Sequence, residues 1–292
     1  MNTTSPTIQH GIEIIESPAL LQQRMLQARA KGQRIAFVPT MGYLHEGHVS
    51  LLRAGRERGD RLVLSIFVNP MQFGQGEDLS RYPRDLEGDL QKAASAGCDI
   101  AFCPTPETIY PPGFQTRVEV SEVQKGLCGD HRPGHFVGVA TVVLKLLNLV
   151  QPHVVLLGEK DYQQLQVIRR MVRDLALPVE VLGCPLIRDH DGLALSSRNA
   201  YLSPSERQQA LVLSRALFAA QKAYAAGERG RDALLAQVRA ILDSEPALRL
   251  DYLELRDAAD LTPPPTVLAR PTVLLVAGFI GRTRLIDNLT LA

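Results

Sequence analysis

The stretch that decides the fold is FVPTMGYLHEGHVSLL, residues 37–52. Its apolar start predicts a short buried strand, which Pro39 is expected to stop, and the spacing after Gly47 predicts a helix. His45 and His48 open this helix three residues apart, so they share one face of its first turn. A helix N-terminus offers free N–H groups and a partial positive charge, and both attract phosphate. The pattern therefore favours a phosphate site at residues 41–48, which we name the histidine turn.

The positive field of a helix N-terminus also disfavours a charged imidazole, so both histidines are expected to be neutral hydrogen-bond donors. Glycine at position 47 would let a large ligand approach the backbone. Two other interpretations stay open. The pattern H-x-x-H could be half of a metal site, although zinc requires three or four protein ligands and the sequence has no second His or Cys pair at ligand spacing. The turn could also be a solvated helix start without chemistry.

Length and composition indicate an ordinary globular protein. The chain has 292 residues, 45% hydrophobic and 22% charged, which suffices for one large domain or two ordinary ones. Lys and Arg number 32 and Asp and Glu 31, so no basic surplus points to nucleic acid or to an anionic membrane. The N-terminus lacks a signal-peptide pattern, and no apolar run approaches the ~20 residues of a membrane span. The four cysteines form no C-x-x-C pair and are expected to be free thiols, which predicts a cytoplasmic protein.

Strands and helices alternate over the first two thirds of the chain. Buried strands are predicted at residues 35–38, 61–68, 99–103, 154–157 and 179–182. A helix is expected to open at Pro83, and a short strand is expected at 117–120 inside an irregular segment. This alternation predicts a Rossmann-like α/β fold, a parallel sheet with helices on both faces. Two helices and three strand-like stretches follow without that order, which predicts a smaller α+β domain and divides the chain into residues 1–187 and 188–292.

Polar residues follow three of the predicted strands. The histidine turn follows the first, Asn69 and Gln72 follow the second, and the run GEKD at 158–161 follows a later one. Because ligands bind at the carboxyl ends of parallel strands, these groups should converge on one cleft. The lysine of GEKD could neutralise a phosphate and its aspartate could accept from ribose hydroxyls. A helix cap and a solvated lysine explain this run equally well.

Other polar runs, taken alone, are less specific indicators of a functional site. LSSRN at 195–199 offers hydroxyls, N–H groups and a guanidinium that can hold diphosphate, although a polar interdomain linker is the simpler interpretation. DHDG at 189–192 is expected to form a turn rather than a metal cluster. RPGH at 132–135 could be a lid or a binding loop. Asp85 and Asp89 could reach Mg²⁺, but a solvated acidic face is favoured.

Together these motifs resemble the pantoate–β-alanine ligase (pantothenate synthetase) family. The resemblance covers nearly the whole chain in order, and it rests on PTMG at 39–42, HEGH at 45–48, VNPMQF at 68–73, RPGHF at 132–136, GEKDYQQ at 158–164, LSSRN at 195–199 and RLIDN at 284–288. The individual motifs occur in a wider nucleotidyltransferase group, whereas the combination is specific to this family.

The resemblance implies that ATP, (R)-pantoate and β-alanine give pantothenate, AMP and diphosphate through a pantoyl adenylate. It assigns His45, His48 and Lys160 to the stabilisation of charge on phosphate, with His48 as the proton donor. It assigns Gln72 and Gln164 to pantoate.

The resemblance also implies the remaining contacts. Asn69 lines the β-alanine position. Gly158 and Asp161 contact the ribose, and Ile187 contacts the adenine. The other residues expected to line the nucleotide site are Met41, Gly42, Tyr43, Leu44, Glu46, Gly47, Glu159, Leu195, Ser196, Ser197 and Arg198, of which Ser196, Ser197 and Arg198 hold the β- and γ-phosphates.

Mg²⁺ is expected to accompany ATP. Asp89 is the acidic anchor that the resemblance offers for the metal, because Gly88 and Lys92 stand where some relatives carry an acidic residue and an amide. The resemblance further implies a homodimer that binds small molecules, with neither nucleic acid nor membrane as a partner.

Two other classes of function stay open. A nucleotidyltransferase with a dinucleotide product would share the histidine turn but would not need Gln72 and Gln164. A regulatory protein would bind the nucleotide without turnover. An aminoacyl-tRNA synthetase is disfavoured, because the chain is short, near neutral and without an evident basic RNA-binding module.

Overall fold

The computed structural model describes residues 6–292. The larger part of the chain contains β1 (Thr7–Gln9), β2 (Ile12–Ile15), α1 (Pro18–Ala30), β3 (Ile35–Thr40), α2 (Glu46–Arg56), β4 (Arg61–Ile66), α3 (Leu86–Ser95), β5 (Ile100–Phe102), α4 (Pro106–Ile109), α5 (Leu127–His131), α6 (His135–Val150), β6 (Val154–Gly158), α7 (Tyr162–Asp174) and β7 (Glu180–Cys184). The smaller part contains α8 (Pro204–Ala225), α9 (Arg231–Leu242), β8 (Leu248–Asp257), β9 (Thr272–Ile280) and β10 (Thr283–Leu291). Short 3₁₀ turns lie at Pro70–Gln72, Glu159–Asp161 and Ser197–Tyr201.

The strands of the larger part form one seven-stranded sheet in the order β1-β2-β5-β4-β3-β6-β7. All neighbouring pairs are parallel except β1 with β2. The chain builds outward from β3 through β4 to β5, then crosses back to add β6 and β7 on the other side. The switch point of this sheet therefore lies between β3 and β6, where parallel sheets bind their ligands. The predicted Rossmann-like α/β fold is confirmed.

Helices cover both faces of this sheet, as predicted. Alternate residues of β3 point to opposite sides: Phe37 packs in one core with α1, α6 and α7, whereas Ala36 and Val38 pack in another with α2 and α3. Burial on both sides explains why the central strands are almost uniformly apolar.

The smaller part is an antiparallel sheet in the order β10-β9-β8 with α8 and α9 on one face, so the predicted α+β arrangement is confirmed. Leu274 and Val276 of β9 face these helices, while Val273 and Leu275 join the core of the larger part. The small sheet is thus buried on both faces. The domain boundary between residues 187 and 188 stays a prediction.

Local differences from the predictions have physical causes. Pro39 does not stop β3, which continues to Thr40, because β6 pairs with this strand only at Ala36 and Phe37 and needs no N–H from position 39. Pro83 does not open α3, since Asp85 caps that helix by accepting the N–H of Gly88 at 3.0 Å.

The irregular segment also differs from its prediction. No strand forms at 117–120, where the N–H of Val118 donates to Thr141 Oγ1 at 2.9 Å instead of to a neighbouring strand. The hairpin of β1 and β2 was not predicted, because strands of three and four residues show too little alternation to be recognised.

Within residues 6–292, no helix combines the length and apolar character needed to cross a bilayer.

Candidate active site

The histidine turn is held from α3 by the carboxylate of Asp89. Gly42 and Tyr43 adopt positive φ values of 85° and 51°. In this conformation the N–H groups of Tyr43 and Leu44 donate to the two oxygens of Asp89 at 2.8 and 2.6 Å. A Cβ at Gly42 would lie 3.0 Å from Asp89 Oδ2, so both the backbone angle and the contact require glycine there.

The turn orients its two histidines. His48 Nδ1 accepts the N–H of His45 at 3.3 Å, which assigns the proton of a neutral His48 to Nε2. The ring centroids are 4.0 Å apart. A Cβ at Gly47 would lie 2.9 Å from Cε1 and Nδ1 of His45. Gly47 therefore makes room for the His45 ring, whereas the sequence suggested that it makes room for a ligand.

The surroundings of both imidazoles favour their neutral forms near pH 7. Burial, reinforced by the positive charge of Lys160, lowers the pKa of His45 to about 2 and that of His48 to about 4. Loss of water around the rings is the largest cause of both shifts. A neutral imidazole with its proton on Nε2 can donate to a phosphate oxygen near pH 7.

The 3₁₀ turn Glu159–Asp161, which we name the lysine turn, follows β6 at the other side of the switch point. The Lys160 side chain is 19% exposed, and its Nζ lies 3.7 Å from Asp161 Oδ2. The backbone of the lysine turn is bound by a residue of β10. Asn288 Nδ2 donates to the carbonyl oxygens of Glu159 and Lys160 at 2.9 and 2.8 Å. The turn therefore depends on a residue of the last strand.

Asn69 and Gln72 follow β4 as a linked pair. Asn69 is 1% exposed, and its Nδ2 donates to Gln72 Oε1 at 3.0 Å and to the carbonyl oxygen of Gly138 at 3.1 Å. Its Oδ1 accepts from Tyr110 Oη at 2.7 Å. Since Asn69 uses its polar atoms on the protein, its effect is to fix the Gln72 amide.

Two adjacent carboxylates bind two arginines across the cleft. Glu77 accepts from Nε and Nη2 of Arg132 at 2.8 and 2.7 Å. Asp78 accepts from Nε and Nη2 of Arg198, each at 2.9 Å. Such two-point pairs combine charge with fixed geometry. They join the loop after β4 to the RPGH and LSSRN runs.

The LSSRN run is ordered, unlike the linker that its composition allows. Ser196 Oγ accepts the N–H of Arg198 at 3.3 Å, and Ser197 Oγ donates to the carbonyl oxygen of Tyr43 at 3.1 Å. Asn199 Nδ2 donates to the carbonyl oxygen of Ala194 at 3.0 Å. The run is thus attached directly to the histidine turn.

These groups surround two adjoining cavities. The inner one, of about 200 Å³, lies at the carboxyl ends of β3, β4 and β6. The outer one, of about 840 Å³, opens between the inner cavity and the small sheet. The predicted site residues that line the inner cavity are Met41, His45, Gly47, His48, Asn69, Gln72, Gly158, Lys160, Asp161, Gln164, Ile187, Leu195, Ser196, Ser197 and Arg198. Those that line neither cavity are Gly42, Tyr43, Leu44, Glu46, Glu159 and Asp89.

Residues 13–290 match the family model of pantoate-β-alanine ligase. The chain belongs to this family. The pantothenate synthetase of Pelobacter propionicus is 57% identical over 271 residues, which cover 93% of this chain and 95% of that protein. The family resemblance of the sequence is confirmed.

Solved structures of the pantoate-β-alanine ligase family share the fold. The pantothenate synthetase of Thermus thermophilus superposes with a TM-score of 0.90 at 46% identity, covering 94% of this chain and 98% of that one. The pantoate-β-alanine ligase of Francisella tularensis, in complex with beta-gamma ATP and β-alanine, superposes with a TM-score of 0.77 at 34% identity. It covers 94% of this chain and 96% of that one.

The residues predicted for Mg²⁺ do not fit a metal. Both oxygens of Asp89 accept backbone N–H groups, and the residue is 1% exposed. Asp85 caps its helix. The acidic residues of DHDG form the predicted turn, in which both pair with Arg207. Throughout residues 6–292, no group of three His, Cys, Asp or Glu side chains is arranged to hold a metal ion. Asp89 is therefore an anchor of the histidine turn.

Sequence reasoning missed the residues that hold the site together. Glu77 and Asp78 lie inside a polar loop without a recognisable motif, and the sequence marks Asn288 only as part of the RLIDN run. Asn288 lies 128 positions from the lysine turn that it binds, so no local pattern connects the two. The available signal was the polar pair Asp287 and Asn288 in the middle of the strand, where the burial alternation is broken.

Proposed function

We propose that the chain condenses (R)-pantoate with β-alanine, using ATP, to give pantothenate, AMP and diphosphate through a bound pantoyl adenylate. The observation that carries the proposal is the convergence of two neutral histidines and Lys160 on the inner cavity of a pantoate-β-alanine ligase family member. The Francisella relative binds beta-gamma ATP and β-alanine, which correspond to two of the three proposed substrates.

In the first step, a carboxylate oxygen of pantoate attacks the α-phosphorus of ATP. The bond from phosphorus to the β-phosphate oxygen breaks, and diphosphate leaves. Catalysis of such a transfer is mainly positioning and stabilisation of charge on the phosphate oxygens. His48 supplies Nε2–H, and His45 and Lys160 supply the other donors.

Pantoate is recognised without added charge. The amides of Gln72 and Gln164 bind its hydroxyls and carboxylate. Asn69 holds Gln72 in place for this contact at the wall shared with β-alanine.

The nucleotide spans the turns after β6 and β7. Gly158 and Asp161 contact the ribose and Ile187 the adenine, while Ser196, Ser197 and Arg198 hold the β- and γ-phosphates. Arg198 binds Asp78 through Nε and Nη2, which leaves Nη1 available to bind phosphate without loss of that pair. Mg²⁺ bound to the ATP phosphates would add further positive charge there.

In the second step, the neutral amine of β-alanine attacks the acyl carbon of the adenylate. The C–N bond forms as the C–O bond to AMP breaks, and the proton lost by the amine passes to the departing phosphate of AMP or to a histidine. The Glu77–Arg132 and Asp78–Arg198 pairs close the cleft around the adenylate and limit its hydrolysis by water.

Assembly and location complete the proposal. We propose that the chain forms a homodimer. Gel filtration tests this, and a monomer mass across micromolar concentrations would contradict it. A cytoplasmic location is supported by the cysteines, all four of which lie in the described range as free thiols.

The decisive experiment is exchange of labelled diphosphate into ATP in the absence of β-alanine. We expect exchange that requires pantoate, followed by pantothenate formation when β-alanine is added. Bound ATP without pantoate-dependent exchange would remove the adenylate mechanism and favour a nucleotide-binding protein or another acceptor.

A further inference from the structure

β10 is the edge strand of the small sheet, and Asn288 in the middle of the strand contacts the lysine turn. Asn288, 6% exposed, donates both bonds of its amide nitrogen to the carbonyl oxygens of Glu159 and Lys160. One side chain therefore fixes two successive peptide groups on either side of the Lys160 α-carbon.

Asn288 is itself held in place by its neighbour. Asp287 is buried, and its carboxylate accepts the backbone N–H of Asn288 at 2.7 Å. The same carboxylate binds Arg188 through two bonds of 2.7 and 2.9 Å, next to the predicted adenine contact Ile187. The strand thus presents a preorganised amide to the turn.

The amide of Asn288 has no donor left for a substrate. Both hydrogens of Nδ2 are directed at backbone carbonyls, and the remaining oxygen is an acceptor that would repel phosphate. Asn288 lines the outer cavity but not the inner one. Any influence on the reaction therefore passes through the lysine turn.

We propose that Asn288 is a positioning residue for adenylation, which holds the Lys160 ammonium towards the phosphate that pantoate attacks. This inference rests on the proposed function. In physical terms, the small sheet completes the ATP site by fixing the backbone from which Lys160 extends, and a flexible lysine turn would spread its ammonium over many positions.

A double-mutant cycle separates positioning from simple stabilisation of the fold. Asn288→Ala, Lys160→Ala and the double variant are compared by diphosphate exchange with ATP and pantoate. We expect Asn288→Ala to lower kcat/KM for ATP about tenfold, the effect of one or two lost hydrogen bonds. In the Lys160→Ala background the same change should lower it less than about twofold, because the group being positioned is absent.

Thr290→Ala is the matched control, since Thr290 is an exposed residue of the same strand, and its exchange should equal that of the wild type. The proposal would be overturned if the reductions in kcat/KM caused by the two single substitutions multiplied in the double variant. It would also be overturned if Asn288→Ala kept the wild-type kcat/KM. If Asn288→Ala does not fold, Asn288→Leu removes the donor at similar volume and is interpreted in the same way. Wild-type exchange is measured first, so failure of the proposed function is recognised separately from failure of this inference.

Discussion

The histidine turn and the lysine turn follow neighbouring strands, β3 and β6, but they are held in opposite ways. Asp89 of the adjacent helix α3 accepts two N–H groups of the first turn. Asn288 of the distant strand β10 donates to two carbonyls of the second. The main anchor of the histidine turn therefore lies within the larger part of the chain, whereas the anchor of the lysine turn lies in the docked small sheet.

The largest expected effect concerns the anchor of the histidine turn. Asp89→Ala leaves two buried N–H groups without acceptors and should lower the free energy of unfolding by about 2–5 kcal/mol, measured by urea denaturation. Asp85→Ala, which removes only a helix cap of α3, should cost about 1 kcal/mol. Unchanged stability together with an altered Mg²⁺ requirement would instead identify Asp89 as a metal ligand.

The next effect tests the donors that the turn presents. His48→Ala should slow pantoate-dependent diphosphate exchange about 10²–10³-fold, as for loss of one donor to a developing anion. ATP binding, followed by calorimetry, should change far less. His190→Ala, at a side chain that is 86% exposed, is the control and should keep wild-type exchange. An equal loss in both variants would remove His48 from its role.

The third effect depends on pH. Burial lowers the pKa of His48 from 6.5 to about 4, so between these values the unfolded chain binds a proton that the folded chain excludes. The free energy of unfolding must then fall as the pH is lowered through this window. The wild-type free energy of unfolding, measured with urea, should fall between pH 7 and pH 5. Replacement of His48 by Gln should make that fall smaller by about 2 kcal/mol. If the variant kept the full wild-type pH dependence of the free energy of unfolding, His48 would have the same pKa in the folded and unfolded chain.

The smallest effects compare Gly47 of the histidine turn with Gly158, which directly precedes the lysine turn. A Cβ at Gly47 would meet the His45 ring at 2.9 Å, whereas a Cβ at Gly158 would meet no atom within 4 Å. Gly47→Ala should displace His45 and slow exchange about tenfold. Gly158→Ala should leave stability unchanged or raise it by about 0.4–1 kcal/mol, and any rise in KM for ATP then reports approach of the nucleotide itself. Destabilisation by Gly158→Ala would contradict the open space around it.

Much of the fold could be predicted because its signals are local. The buried strands that build the central sheet agree with the sequence pattern, and so does the order of two helices and three strands in the smaller part. Boundaries failed where tertiary partners decided them, as at Pro39, which pairs on one side only. The site residues were predicted mainly through motifs, and their individual roles stay predictions.

The sequence by itself determined the alternation of strands and helices and the placement of polar runs at strand ends, because periodicity and turn chemistry act over a few neighbouring residues. It also determined that the two histidines share one face of a helix start. Only the tertiary structure decided that Asp89 anchors the histidine turn instead of holding a metal, that burial keeps the histidines neutral, and that Asn288 fixes the lysine turn. Those outcomes depend on hydrogen bonds and lost solvent between residues 45 to 129 positions apart, which no local pattern records.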